Sequence, residues 1–304
     1  MWDTLDGFYQ KLYDIQNDRE QTERFLNQSV AWAKGAEEQI AVYNELGSFY
    51  RSIGSYAQSL AAFERAQVCA ASQFGETCNQ YAAILNNMAG TYRRMGDYER
   101  AVAGFEQAMA IYRALGEEQT DAYASVLNNL SLTYRELGRL DEAILSLERA
   151  LLCIEKMPGS RQEIAVTYNN LATLYHAAGK REQAMACLGR AVQEFEKCAG
   201  EENVPYAEGM NSLAALLYAE GNFTEALALY RKSAAYTKRF CGENVEYALT
   251  LQNMAWIYQQ LGQAEEAHAA LTQAGKIYQN RLGPDHERTR AVADALKRMR
   301  PVRR

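Results

Sequence analysis

Two adjacent rows of amide side chains recur along this 304-residue chain, and they are its most chemically capable groups. One row is Glu45, Asn87, Asn129, Asn170, Ser212 and Asn253; the other, one residue earlier each time, is Asn44, Asn86, Asn128, Asn169, Asn211 and Gln252. Asn is a mediocre helix former, so its recurrence within a helical pattern works against local propensity and calls for a reason. A side-chain amide carries a donor and an acceptor in one plane, which suits gripping the main-chain N–H and C=O of a guest segment whatever its side chains are. Seven residues beyond the second row come Arg51, Arg93 and Arg135, with Arg94 beside them. Guanidinium groups make forked hydrogen bonds to carboxylates and phosphates, so this stretch favours an acidic guest. The matching later positions hold His176, Tyr218 and Gln259, and Trp256 adds an aromatic of the kind enriched as interface anchors.

Covalent and metal chemistry lack such support. His176, His268 and His286 are far apart, and none has a second His or Cys at metal-ligand spacing. No Gly-rich phosphate loop, nucleophile elbow or pair of catalytic acids can be assembled. The expectation is a protein that is not an enzyme and needs no cofactor or metal.

The elements that must carry these rows follow from six glycines. Gly54, Gly96, Gly138, Gly179, Gly221 and Gly262 are spaced by 42, 42, 41, 42 and 41 residues, so one structural unit is copied six times. Ahead of each glycine, large apolar residues stand eleven, eight and four places back, as in Leu85, Met88 and Tyr92, with a small residue seven back, as in Ala89. Offsets of three, four and seven fall on one stripe of a helix, helix A. The glycine is a turn, because the residue past a helix end commonly takes positive φ. Beyond it, small residues five and twelve places on bracket a bulky one nine on, as in Ala101, Phe105 and Ala108, which marks a second helix, B. Small facing bulky lets antiparallel helices approach to roughly 8–10 Å. Each copy is a helical hairpin. The joints also rhyme, from Phe74-Gly75-Glu76 to Leu282-Gly283-Pro284-Asp285-His286, and Pro158, Pro205 and Pro284 fall in them.

This Gly/Ala/aromatic/Ala spacing resembles the tetratricopeptide repeat in a longer variant of about 42 residues. Leu85-Asn86-Asn87-Met88-Ala89, Leu127-Asn128-Asn129-Leu130-Ser131-Leu132-Thr133-Tyr134 and the joint Leu282 to His286 are similar to the repeats of kinesin light chain and its bacterial relatives. The expected fold is all-α, an α-α superhelical solenoid of antiparallel hairpins with capping helices. Residues 1–36 read as a degenerate first hairpin, with Trp2, Phe8, Phe25 and Trp32 among its apolar positions; residues 37–281 read as six units, and 282–304 as a capping helix with Val292 on its apolar face and a basic tail. Caps are needed because each inner repeat leaves an apolar side for its neighbour. The resemblance implies a concave wall of A helices that takes an extended peptide, in a cargo-like or scaffold role.

On that wall the row nine before each glycine faces inward, and the row ten before points to one flank. Peptide binding is expected of the inner row, Asn87, Asn129, Asn170 and Asn253. The flank row, Asn86, Asn128, Asn169 and Asn211, is weighted toward bridging adjacent hairpins. Small neighbours, among them Ala83, Gly90, Thr173, Ala177, Ala215 and Ala219, leave an open trough. Solvated pairing with Glu45 or Glu136 is the default for any one Arg. Trp256 is either an exposed anchor or plain core beneath the cap.

Net charge is −6; the last eight residues carry five basic groups, which leaves the remainder at −11. So acidic a body does not seek nucleic acid. Six scattered cysteines without a Cys-x-x-Cys pair suit free thiols, and no apolar run reaches transmembrane length, so a cytoplasmic protein away from membranes is expected. The partner expected is a protein or peptide, with an acidic one favoured by the arginines. A peptide-sensing regulator resembling the bacterial pheromone receptors, or a structural homo-oligomer, remains open.

Overall fold

The computed structural model describes residues 4–16, 18–197 and 204–299. Trp2, Cys198, Pro301 and the rest of the tail beyond residue 299 lie outside them. The described residues form fifteen helices and no strand. They are α1 (Leu5–Ile15), α2 (Arg19–Trp32), α3 (Ala36–Ser52), α4 (Tyr56–Phe74), α5 (Asn79–Met95), α6 (Tyr98–Ala114), α7 (Asp121–Glu136), α8 (Leu140–Ile154), α9 (Arg161–Ala177), α10 (Arg181–Lys197), α11 (Val204–Ala219), α12 (Phe223–Cys241), α13 (Val245–Gln260), α14 (Ala264–Leu282) and α15 (Glu287–Arg298). The A helices are the odd members from α3 to α13 and the B helices the even members from α4 to α14. The chain divides into two compact halves, Met1–Met157 and Pro158–Arg304.

Each A helix ends the same way. The six period glycines take φ between 70° and 82°, a region that costs a residue with a Cβ roughly 1–2 kcal/mol. The residue after each glycine then donates its N–H back to the carbonyl at the aromatic or leucine position four before the glycine. The pairs are Ser55 to Tyr50, Asp97 to Tyr92, Arg139 to Tyr134, Lys180 to Tyr175, Asn222 to Leu217 and Gln263 to Tyr258, all at 2.8–3.0 Å. This Schellman closure satisfies carbonyls that the helix end would otherwise leave bare. Pro205, expected in a joint, lies instead in the first turn of α11, where a backbone N–H would have no intrahelical acceptor and a proline is tolerated.

Packing within each hairpin follows the small-to-bulky pattern. Every small residue five and twelve places after the period glycine is buried, and so is every bulky one between them. A Cβ added at Gly47 would stand 2.6 Å from the Phe63 ring, so α3 and α4 touch as closely as the missing side chain allows. Where Ser replaces Ala in a small row, its hydroxyl donates across the hairpin: Ser59 to the Gly47 carbonyl and Ser131 to the Ala143 carbonyl, both at 2.8 Å.

The ends of the two halves are closed by different means. In the N-terminal half, Phe8 of α1 stacks on Phe25 and Trp32 of α2, and the three join Val42, Leu46 and Tyr50 of α3 in one core. In the C-terminal half, α15 lies on α14, with Val292 fully buried. Gly275 makes this possible, since a Cβ there would sit 3.2 Å from the Val292 side chain.

Candidate functional site

The amide rows sit on the A helices, and in the N-terminal half they meet each other. Asn87 Nδ2 of α5 donates to Asn44 Oδ1 of α3 at 2.8 Å, and Asn129 Nδ2 of α7 donates to Asn86 Oδ1 of α5 at 3.1 Å. The inner residue of one repeat thus bonds the flank residue of the repeat before it, and the two rows form one ladder between hairpins instead of dividing the work. All four amides are half-buried, as is Asn128 of α7. Asn44 also bonds the Glu45 carboxylate, which burial pushes above its usual pKa while Asn44 and Arg51 pull it back.

In the C-terminal half the pattern loosens. Asn169 is buried, with its Oδ1 lacking a hydrogen-bond partner among the described residues, whereas Asn170 beside it is exposed. Asn211 Nδ2 of α11 donates to Thr250 Oγ1 of α13 at 3.0 Å, a bridge to the next repeat through a residue outside both rows. Asn253 is half-buried and hydrogen-bonds Tyr230, whose hydroxyl burial has pushed up to about 12.

Arg51 lies across α5. Its Nη1 donates to the Asn87 carbonyl at 3.1 Å, and its guanidinium stands over the Phe63 ring at 5.8 Å. Gly90 makes the room, because a Cβ there would be 3.1 Å from that same Nη1. The contact sets a register: the residue three before one glycine faces the residue six before the next. Arg93 and Arg94 follow Gly90 by three and four residues, on the same side of α5. Burial and the charges of Arg94 and Arg93 pull the Arg51 guanidinium below its ordinary pKa, and Glu45 only partly restores it. Among the described residues no carboxylate comes within ion-pair distance of Arg51, Arg93 or Arg94, and Arg93 Nε is buried without an acceptor. Arg135 differs: it pairs with Glu136 at 3.1 Å, both side chains largely exposed, which is the solvated default and worth little.

In the C-terminal half, the A helices expose Asn170, Thr173, His176 and Ala177 on α9, Ser212, Ala215, Tyr218 and Ala219 on α11, and Trp256 on α13. Trp256 is 38% exposed and Tyr218 36%, so neither is plain core. Counted from their glycines, Tyr218 holds the position of Arg51 and Trp256 that of Gly90. Tyr218 was legible as an aromatic in a polar row, but nothing in the sequence sets its ring 5.5 Å from that of Phe223 at the start of α12. Glu220 was also missed. Its carboxylate takes His176 Nδ1 at 3.3 Å and Arg181 Nε on its other oxygen, tying α9 and the start of α10 to the end of α11.

No group of three or more His, Cys, Asp or Glu among the described residues could hold a metal ion. The cysteines described, Cys69, Cys78, Cys153, Cys187 and Cys241, form no disulfide with one another. No helix among the described residues is long and apolar enough to cross a membrane.

Antiparallel hairpins of this length, closed by a left-handed glycine and bridged from one A helix to the next, define a helical-repeat solenoid. The chain belongs to the tetratricopeptide repeat family, whose profile matches residues 38–114, 80–156, 122–197, 163–239 and 205–280. A search of curated proteins found no match. Among solved structures, BtubC (BKLC) from P. vanneervenii is similar at 19% identity and a TM-score of 0.61, over 90% of this chain and 96% of that one. A putative kinesin light chain from Podosopora anserina is 21% identical over 66% of this chain and 95% of its own, with a TM-score of 0.58. A signal transduction ATPase with a tetratricopeptide repeat sensor from Pyrococcus horikoshii reaches a TM-score of 0.71 at 13% identity, over 97% of this chain and 46% of that one. At these identities the likeness is one of fold. The repeats make the chain a protein interaction scaffold, and no catalytic family is indicated.

Proposed function

We propose that the protein is an adaptor that holds an extended segment of a partner protein against its A-helix faces. The reading rests on one observation above the others: Tyr218 and Trp256 stand exposed on neighbouring A helices beside Thr173, Ala177, Ala215 and Ala219, whose small side chains leave the surface uncovered. An exposed tryptophan in such a setting fits an anchor for an apolar or aromatic side chain of the guest. Asn170, free to solvent, is assigned to the guest's backbone. In the N-terminal half, Asn87 and Asn129 use Nδ2 on the preceding repeat and keep Oδ1 to accept a main-chain N–H. Arg51, Arg93 and Arg94 would meet acidic groups.

Selection of a displayed peptide library against the whole chain tests this. Binders should be recovered, and Trp256→Ala should weaken them by about tenfold or more, as loss of an aromatic anchor does. Arg94→Gln should penalise acidic binders alone and flatten their salt dependence. Recovery of no binders, or binders indifferent to Trp256, Asn170 and Arg94 together, overturns the reading.

A further inference from the structure

We propose that Arg51, Arg93 and Arg94 form a phosphoryl-binding site, and that the partner segment engages it through a phosphorylated side chain. The proposal rests on the adaptor reading and names the chemistry of one of its contacts. The Arg51 guanidinium stands over Gly90, the one residue on this face of α5 without a side chain, and Arg93 and Arg94 follow one turn on, close enough for their charges to act on it. Arg51 is fixed in place by the Asn87 carbonyl and by the Phe63 ring beneath it. Arg94 is exposed, and Arg93 carries a buried Nε with nothing to donate to.

Like charges held near one another oppose each other, so the arrangement is stabilised by an anion that neutralises them. A phosphate monoester fits better than a carboxylate. It brings close to two negative charges at neutral pH and three acceptor oxygens, enough for three forked donors, whereas a carboxylate brings one charge and two oxygens. Arg135, already neutralised by Glu136, shows what an arginine in the same row looks like when it has no such task.

Inorganic phosphate is the probe. It is titrated into the full chain at pH 7.5 and constant ionic strength while the amide resonances of residues 90–94 are followed. Saturable shifts are expected there, with acetate weaker by about tenfold or more per charge-assisted contact that it cannot make. Arg94→Gln and Arg93→Gln should each weaken phosphate by a similar factor. Arg94→Gln alone carries the test if Arg93→Gln loses its melting transition, since Arg94 is exposed. Lowering the pH to 5 should weaken inorganic phosphate, which then carries one negative charge, its second ionisation lying at about pH 7, roughly a unit above that of a monoester. Acetate saturating the same resonances as tightly as phosphate, shifts that do not saturate, or shifts indifferent to Arg94→Gln would overturn the site. Phosphorylated peptides that bind the A-helix faces without displacing phosphate would leave the adaptor reading intact while removing this one. Phosphate binding with no peptide binder would do the reverse.

Discussion

The amide ladder assigns its members measurable and unequal weights. Asn44 and Asn87 share a half-buried hydrogen bond, so each single change to Ala should cost about 1 kcal/mol, and the double-mutant cycle should return a favourable coupling of roughly 0.5–1.5 kcal/mol. Urea denaturation checks this. Asn170→Ala removes an exposed side chain and should leave the urea midpoint unchanged. A second residue prediction concerns alkali. The Tyr230 hydroxyl is pushed from 10.0 to about 12, chiefly by burial, so the folded state holds a proton that the unfolded state has released in that interval. Stability is therefore full below pH 10 and falls as pH rises toward 12, by about 1.4 kcal/mol per pH unit from this group. Tyr230→Phe should flatten that slope, as read from urea midpoints between pH 9.5 and 11.5. The rows themselves were legible in the sequence because they recur in register. Their mutual bonding was not, since spacing within one helix does not say how far the next is slid along it. Asn169 and Asn170 show the same limit: adjacent and chemically identical, one is buried and the other exposed.

Among the elements, hairpins, turns and the small-to-bulky packing were all readable, because each depends on residues close in sequence whose side chains dictate the backbone or the contact distance. Gly54 and its counterparts need positive φ, and Phe63 needs Gly47. The terminal helices were visible as amphipathic stretches, but what each covers depends on tertiary placement. Here α15 lies on α14 and leaves Trp256 exposed, where the sequence allowed a cover. Val292→Asp puts a charge into a fully buried site against Gly275 and should destabilise that end by roughly 2–4 kcal/mol. Because repeats contact mainly their neighbours, hydrogen exchange should accelerate in α13 to α15 and stay unchanged in α3 to α6. Uniform acceleration across the chain would contradict this.

At the scale of the whole molecule, an acidic chain of net charge −6 carries three unpaired arginines within one pair of repeats. The surrounding charge repels bulk anions, so affinity there has to come from short-range geometry and not from long-range steering. Lowering ionic strength should consequently raise the association rate of an acidic peptide only modestly, which stopped-flow fluorescence of Trp256 would report; a steep rise would place the contact elsewhere.

The amide ladder joins positions 43 residues apart, from Asn44 to Asn87 and again from Asn86 to Asn129, across turns that recur every 42 from Gly54 to Gly138. Such bonding is indifferent to copy number. Splicing a second copy of residues 55–96 behind Gly96 hands Asn86 a new donor and returns its old one to the duplicate. The lengthened protein should fold and melt no earlier than its parent. Gene slippage can then add or delete one hairpin at a stroke, making reach along a guest an inherited variable that demands no redesign of any contact.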